Sequence, residues 1–242
     1  MMKSIIITGA SRGIGYETAL TLASDYDYIA VCCSKDTKRL GELQEKINQM
    51  GKTCLAMVGD VADYSFAKKM IDTVIKEAGS IYALVNNAAI SQVGLFTDCT
   101  PAEWQQIINT NINSVYNFSH EVLPYMIREK VGRIINVSSV WGLVGASCEV
   151  AYSTTKGAVN AFTKALAKEL APSHISVNAI AFGAVNTTMN GHLDPEELSA
   201  LCEEIPYGRM CTPIEAAKCI KGVIDMPDYM TGEIIKFDGG WI

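Results

Sequence analysis

Short, continuously apolar runs recur along the chain, and between them the apolar residues space out at three and four. The runs fall at 4–8, 28–33, 54–58, 82–86, 133–138, 176–181 and 233–237. Half-exposed strands alternate apolar and polar residues, whereas strands buried on both faces do not, and most of these do not. The stretches 14–24, 38–50, 65–78, 101–129, 151–171 and 213–225 carry helical periodicity. Thr100 before Pro101, with Glu103 following, gives the fourth of them a cap and a first-turn proline. Seven strands alternating with helices predict an α/β fold, a doubly wound parallel sheet with helices on both faces and one domain over 1–242. The stretch 186–205 breaks this rhythm and is a candidate substrate lid, with Met189, His192, Leu193, Leu198 and Leu201 on its apolar side.

Composition narrows the class. Hydrophobic residues make up 49% and charged residues 19%, enough apolar material for a core on both sides of a sheet. The net charge is −6 without a basic run, so no nucleic-acid surface is expected. No apolar stretch approaches a membrane span, and the three isoleucines after "MMKS" are too few for a signal peptide, so no membrane is expected either. The eight cysteines include no CxxC and read as small core residues of a cytoplasmic protein.

The first strand ends in "TGASRGIG", which places Gly9, Gly13 and Gly15 in a G-x-x-x-G-x-G spacing that opens a helix. Glycines there permit a tight turn and the close approach of a pyrophosphate to the helix N-terminus, where free N–H groups favour anions. The plain alternative is a glycine-rich turn with no ligand. A site for NAD usually carries an acid near the end of the second strand, for the ribose hydroxyl. Here that strand ends "VCCSK", with Ser34 and Lys35 and no acid until Asp36. Arg12 and Lys35 suit a 2′-phosphate, or are solvated surface charges; this favours NADP(H) over NAD(H). Asp60, in "GDVAD", is an adenine contact or a helix-leading acid.

In "AYSTTKGAVNAFTKAL", residues 151–166, Tyr152 and Lys156 stand four apart and share a helix face. An arbitrary pair of this kind would be packing and snorkelling. Here the other motifs decide: "TGASRGIG" at 8–15, "NNAA" at 86–89, "NTNINS" at 109–114, "INVSS" at 135–139, "YSTTK" at 152–156 and "DGG" at 238–240. In that order the chain resembles the short-chain dehydrogenase/reductase family over essentially its full length, most like the β-ketoacyl-acyl carrier protein reductase branch.

The resemblance implies a Rossmann-type sheet, a catalytic set of Ser139, Tyr152, Lys156 and Asn111, and no metal. Ser139 is preferred to Ser138 because the family places its serine thirteen positions before the tyrosine. The expected cofactor contacts are Gly9, Ser11, Arg12, Gly13, Ile14, Gly15, Ser34, Lys35, Asp60, Val61, Asn87, Ala88, Gly183, Val185 and Thr187, together with Tyr152 and Lys156. Tyr152 would protonate the alkoxide left by hydride transfer, and Lys156, one turn away, would lower its pKa. Ser139 would hydrogen-bond the substrate oxygen, and Asn111 would hold a water leading protons past Lys156.

Two positions depart from the family: Ala89 in "NNAA" stands where a glycine is usual, and Phe182 stands where a proline is. Phe182 is expected near the nicotinamide or in the substrate pocket. The resemblance implies reduction of a 3-oxoacyl-acyl carrier protein, the alternative being a dehydrogenase of a free alcohol, sugar, polyol or steroid. A sensor that had kept the fold and lost the chemistry would have lost Ser139, Tyr152 or Lys156. Arg128, Lys130 and Arg133 form a cluster compatible with docking an acidic carrier protein. A homotetramer is expected, and the terminal Trp241 and Ile242 would be buried against a partner.

Overall fold

The computed structural model describes residues 2–191 and 193–242. His192 of the expected lid lies outside them. Seven parallel strands, β1 (Ser4–Ile7), β2 (Tyr28–Cys33), β3 (Thr53–Val58), β4 (Ala83–Asn86), β5 (Gly132–Ser139), β6 (Ile175–Phe182) and β7 (Ile234–Phe237), form one sheet in the order β3-β2-β1-β4-β5-β6-β7. The inner strands are buried along their whole length, as the continuous apolar runs require.

Side chains alternate across the sheet, so neighbouring isoleucines of β1 enter different cores. Ile5 and Ile7 pack with Leu22 of α1 (Gly13–Leu22), Leu43 of α2 (Thr37–Gln49) and Ile220 of α9 (Pro213–Asp225). Ile6 faces the other way, toward Ile71 of α3 (Tyr64–Ala78) and Phe118 of α5 (Ser114–Glu129). Cys32, Cys33 and Cys54 are core residues as expected; the other five cysteines are half-buried, and all eight are free. Among the described residues no helix is long and apolar enough to cross a membrane.

The single helix expected over 101–129 is interrupted. α4 (Pro101–Ile108) carries the capping box foreseen from Thr100 and Glu103, then gives way to a π-turn at Asn109–Asn113 before α5 resumes the α-helical path. An inserted residue of this kind widens one turn, and such turns are frequent at functional sites. Two further helices lie where none was expected: α6 (Trp141–Val144) after β5, and α8 (Pro195–Glu204) inside the 186–205 stretch. The long α7 (Val150–Leu170) covers β5 and β6.

Phe182 closes β6. As the last residue of β6 it is 3% exposed and packs edge-on against Phe237, ring centroids 5.8 Å apart. Its register between Ser139 of β5 and Phe237 of β7 places the ring in the core.

Candidate active site

In a doubly wound sheet a ligand crevice opens at the carboxyl ends of the strands, where the strand order reverses. Here the reversal lies between β1 and β4, and the loops after those strands are stapled together. Asn87 donates its side-chain amide to the carbonyls of Thr8 and Gly9, at 2.9 and 3.0 Å. The backbone amides of Asn87 and Ala88 both donate to the Thr8 hydroxyl at 3.0 Å.

The turn has no room for side chains. A Cβ on Gly9 would lie 2.8 Å from the Ala88 Cα, and one on Gly15 would lie 2.5 Å from both the Asn87 amide nitrogen and the Gly9 carbonyl. Gly9 and Gly13 also hold positive φ. The N-terminus of α1 that follows has no side-chain cap and no acid in its first turn, so its N–H groups are left for an anion. Together these features fit a dinucleotide pyrophosphate.

Other expected contacts are placed less uniformly. Thr187 comes against Gly13, within 3.2 Å of where a Cβ would be, so the segment after β6 closes on the phosphate turn. Gly183 packs against Asp238 of the "DGG" motif, and Val185 is buried and bridges to Cys211. Ser11 is buried and Ile14 half-buried, whereas Arg12, Ser34 and Lys35 are exposed. Asp36, the nearest acid to the end of β2, caps α2 by accepting from the Arg39 amide at 3.1 Å. Asp60 accepts from the Ala62 amide, and the buried Val61 gives its carbonyl to Asn117.

The two serines ending β5 point differently. Ser138 donates to Asn160 of α7 at 2.6 Å. Ser139 accepts from the Trp141 amide at 3.2 Å, and its hydroxyl lies beside the phenol of Tyr152. Tyr152, on the first turn of α7, is buried in a small cluster with Ile107, Ala151, Ile90, Trp104 and Trp141. Lys156 is 3% exposed; its ammonium donates to the Val137 carbonyl at 2.7 Å and lies 5.5 Å from the Tyr152 ring centroid.

Burial lowers Lys156 to about 8. Tyr152 is raised rather than lowered: burial acts first, the Glu149 carboxylate adds to it, and the Ser139 hydrogen bond opposes both. The Lys156 ammonium, expected to lower it, is here turned to the Val137 carbonyl, 5.5 Å from the centre of the Tyr152 ring.

Asn111, in the π-turn, is also more committed than expected. It donates to the Ile90 carbonyl at 2.8 Å and to the Thr155 hydroxyl at 3.1 Å, and accepts from the Ile90 amide at 2.8 Å. It braces the loop after β4 against α7. Sequence reasoning missed Glu149, which accepts from Ser91 at 3.0 Å. The available signal was its place three residues before Tyr152, on the same helical face.

Arg133 is the second residue of β5, roughly 20 Å along the strand from Ser139. It is buried beneath Tyr82, while Arg128 pairs with Glu129 at 3.0 Å. The three basic residues thus lie near the start of β5, with Arg133 withdrawn into the structure and Arg128 paired with its neighbour. At the C-terminal end Trp241 is half-buried and stacks edge-on with Trp141 at 4.8 Å, while Ile242 is exposed.

A dinucleotide cradle beside a buried Ser-Tyr-Lys group defines a nicotinamide-dependent oxidoreductase of the α/β class. The family model for short chain dehydrogenase matches residues 3–198. The chain belongs to the short-chain dehydrogenase family. Among its relatives is an uncharacterized oxidoreductase, YmfI, of Bacillus subtilis (strain 168), 40% identical over 100% of this chain and 99% of the relative. The 3-oxoacyl-[acyl-carrier-protein] reductases FabG of Staphylococcus aureus (strain Mu50 / ATCC 700699) and Thermotoga maritima (strain ATCC 43589 / DSM 3109 / JCM 10099 / NBRC 100826 / MSB8) are each 36% identical, over 99% of this chain and 98% of the relative.

Proposed function

We propose that the chain is an NADPH-dependent reductase converting a ketone to a secondary alcohol, with 3-oxoacyl-acyl carrier protein as its substrate. The observation that carries the reaction type is the gathering of Ser139, buried Tyr152 and buried Lys156 at the carboxyl end of β5, at the same end of the sheet as the glycine cradle. The nicotinamide cofactor, when bound, supplies the hydride. Tyr152 gives its proton to the carbonyl oxygen, and Ser139, whose oxygen already accepts from Trp141, points its own proton at the same oxygen. Lys156 supplies the nearby cation and holds the ribose hydroxyls, and Asn111 fixes the loop that closes the site.

The carrier-bound substrate is supported by the reductases at 36% identity. The exposed apolar residues Leu95, Phe96, Leu143 and Val144, on the loops after β4 and β5, suit an acyl chain. The preference for NADPH is supported by exposed Arg12 and Lys35 and by the use of Asp36 as a helix cap. A homotetramer is supported by Tyr116 and Ile127, exposed apolar residues on the outer face of α5. A free small alcohol, sugar, polyol or steroid is the second reading, kept open by the relative at 40% identity, an uncharacterized oxidoreductase.

The test is oxidation of NADPH and of NADH with acetoacetyl-acyl carrier protein beside a panel of free ketones. The expected result is carrier-thioester turnover, faster with NADPH, that falls by at least about 10³-fold in Tyr152→Phe. Turnover of free ketones alone would establish the second reading.

A further inference from the structure

The motifs that single out Ser139 leave its neighbour Ser138 without a role, and Asn160 lies outside all of them. Yet these two residues are joined beside the catalytic group, both nearly sealed from solvent at 3% and 6% exposed. The Ser138 hydroxyl donates to the Asn160 Oδ1 at 2.6 Å, and the Asn160 Nδ2 donates to the Gly142 carbonyl at 3.0 Å. A backbone carbonyl only accepts, so the amino group of Asn160 faces Gly142 and its oxygen faces Ser138. The side chain is thus held in one orientation, joining β5, α6 and α7.

The turn that Asn160 holds carries a hydrogen bond to Ser139. Val140, where the turn begins, is tied to β6 by its amide, which donates to the Phe182 carbonyl at 2.9 Å. Gly142 is pressed onto α7: a Cβ there would lie 2.6 Å from the backbone carbonyl carbon of Lys156. Between these two attachments stands Trp141, whose amide donates to the Ser139 hydroxyl oxygen at 3.2 Å. A serine hydroxyl has one proton, and an oxygen that already accepts from one side has that proton confined to the remaining directions. The Trp141 amide therefore governs where Ser139 points its proton. The place of that amide depends on how the 140–142 turn is seated on α7.

We propose that Asn160, held by Ser138, is a positioning residue: it seats the turn after β5 so that the Trp141 amide orients the Ser139 hydroxyl toward the substrate oxygen. This rests on Ser139 acting on that oxygen. Asn160 is engaged with Ser138 and Gly142, and its effect on turnover passes through Ser139. A displacement of about 1 Å at a catalytic group costs on the order of 10²-fold in rate. Loss of the seat is therefore read in kcat rather than in cofactor binding.

The experiment is a double-mutant cycle between Ser139→Ala and Asn160→Leu, which keeps a similar volume and removes both polar contacts. It is read by NADPH oxidation with acetoacetyl-acyl carrier protein and with the panel of free ketones. Asn160→Leu alone is expected to lower kcat by about 10- to 100-fold, with KM for NADPH changed less than about threefold. In the Ser139→Ala background it should add less than about a further twofold. Ser138→Ala, a gentler change, should behave in the same sense and carries the test should Asn160→Leu fail to fold. Hydrogen exchange at the Trp141 amide reads the seat without turnover. It is expected to quicken at least about tenfold in either variant while the amides in the middle of α7 keep their wild-type rates. Equal losses of kcat with and without Ser139, or a Trp141 amide that moves no more than those of α7 in a folded variant, would overturn the proposal. A Ser139→Ala enzyme of full activity would overturn it together with the role given to Ser139. A wild type that reduces none of the ketones would instead defeat the reductase reading and leave the exchange legible.

Discussion

The proposed mechanism asks Lys156 to be a cation in a place that disfavours one. It is 3% exposed and its pKa is lowered to about 8 by burial. A base depressed in this way weakens the fold. Below pH 8 both folded and unfolded chains hold the proton, and the penalty is complete. From about 8 toward the ordinary 10.5 the folded chain has released its proton while the unfolded chain keeps it, so the penalty fades as pH rises. Lys156→Met, similar in volume and uncharged, is expected to abolish turnover while raising the unfolding free energy by about 1–3 kcal/mol at pH 7. Urea titrations at pH 7 and pH 10 check the sign, since the gain should shrink at the higher pH. The identity of this residue was legible in the sequence from its spacing to Tyr152. Its environment was not, because the Val137 carbonyl that accepts its hydrogen bond lies 19 residues away on another element.

The clearest departure among the elements is the π-turn at Asn109–Asn113. Helical periodicity ran unbroken through 101–129, and a single inserted residue shifts the apolar stripe too little for pattern reading to detect. The insertion matters because it carries Asn111, whose amide meets both backbone groups of Ile90 and the Thr155 hydroxyl. Asn111→Ala would leave those partners buried without replacements. The expected cost is about 1–3 kcal/mol of stability, with hydrogen exchange at the Ile90 amide accelerated well beyond that of the sheet amides. Equal acceleration everywhere would make the residue a general core contact instead. The other misses at this scale have similar causes. α6 is one turn long, and α8 was folded into a segment recognised only as irregular. By contrast the strands were read to within about two residues at their ends, because their burial on both faces wrote continuous apolar runs into the sequence.

At the scale of the whole molecule, a buried polar thread runs beneath the site. Asn86 of β4 donates to Asn136 of β5 at 2.9 Å and to Ser119 of α5 at 3.1 Å, and Asn136 donates to Thr163 of α7 at 2.9 Å. The two asparagines are register partners in neighbouring strands, a pairing no one-dimensional pattern could reveal. Asn136→Leu is expected to destabilise by about 2–4 kcal/mol by leaving the amide of Asn86 and the hydroxyl of Thr163 short of partners, measurable by chemical unfolding. The parallel sheet, the glycine turn and the identities of the Ser-Tyr-Lys group were legible because each is local in sequence. The loops that join them were not. The three tryptophans, finally, are gathered at one place: Trp104 and Trp141 flank Tyr152, and Trp241 stacks on Trp141. Intrinsic fluorescence of this protein is therefore a local signal, reporting the catalytic pocket while far-ultraviolet dichroism reports the frame. A difference between the two unfolding curves would measure how far the pocket can loosen before the sheet does.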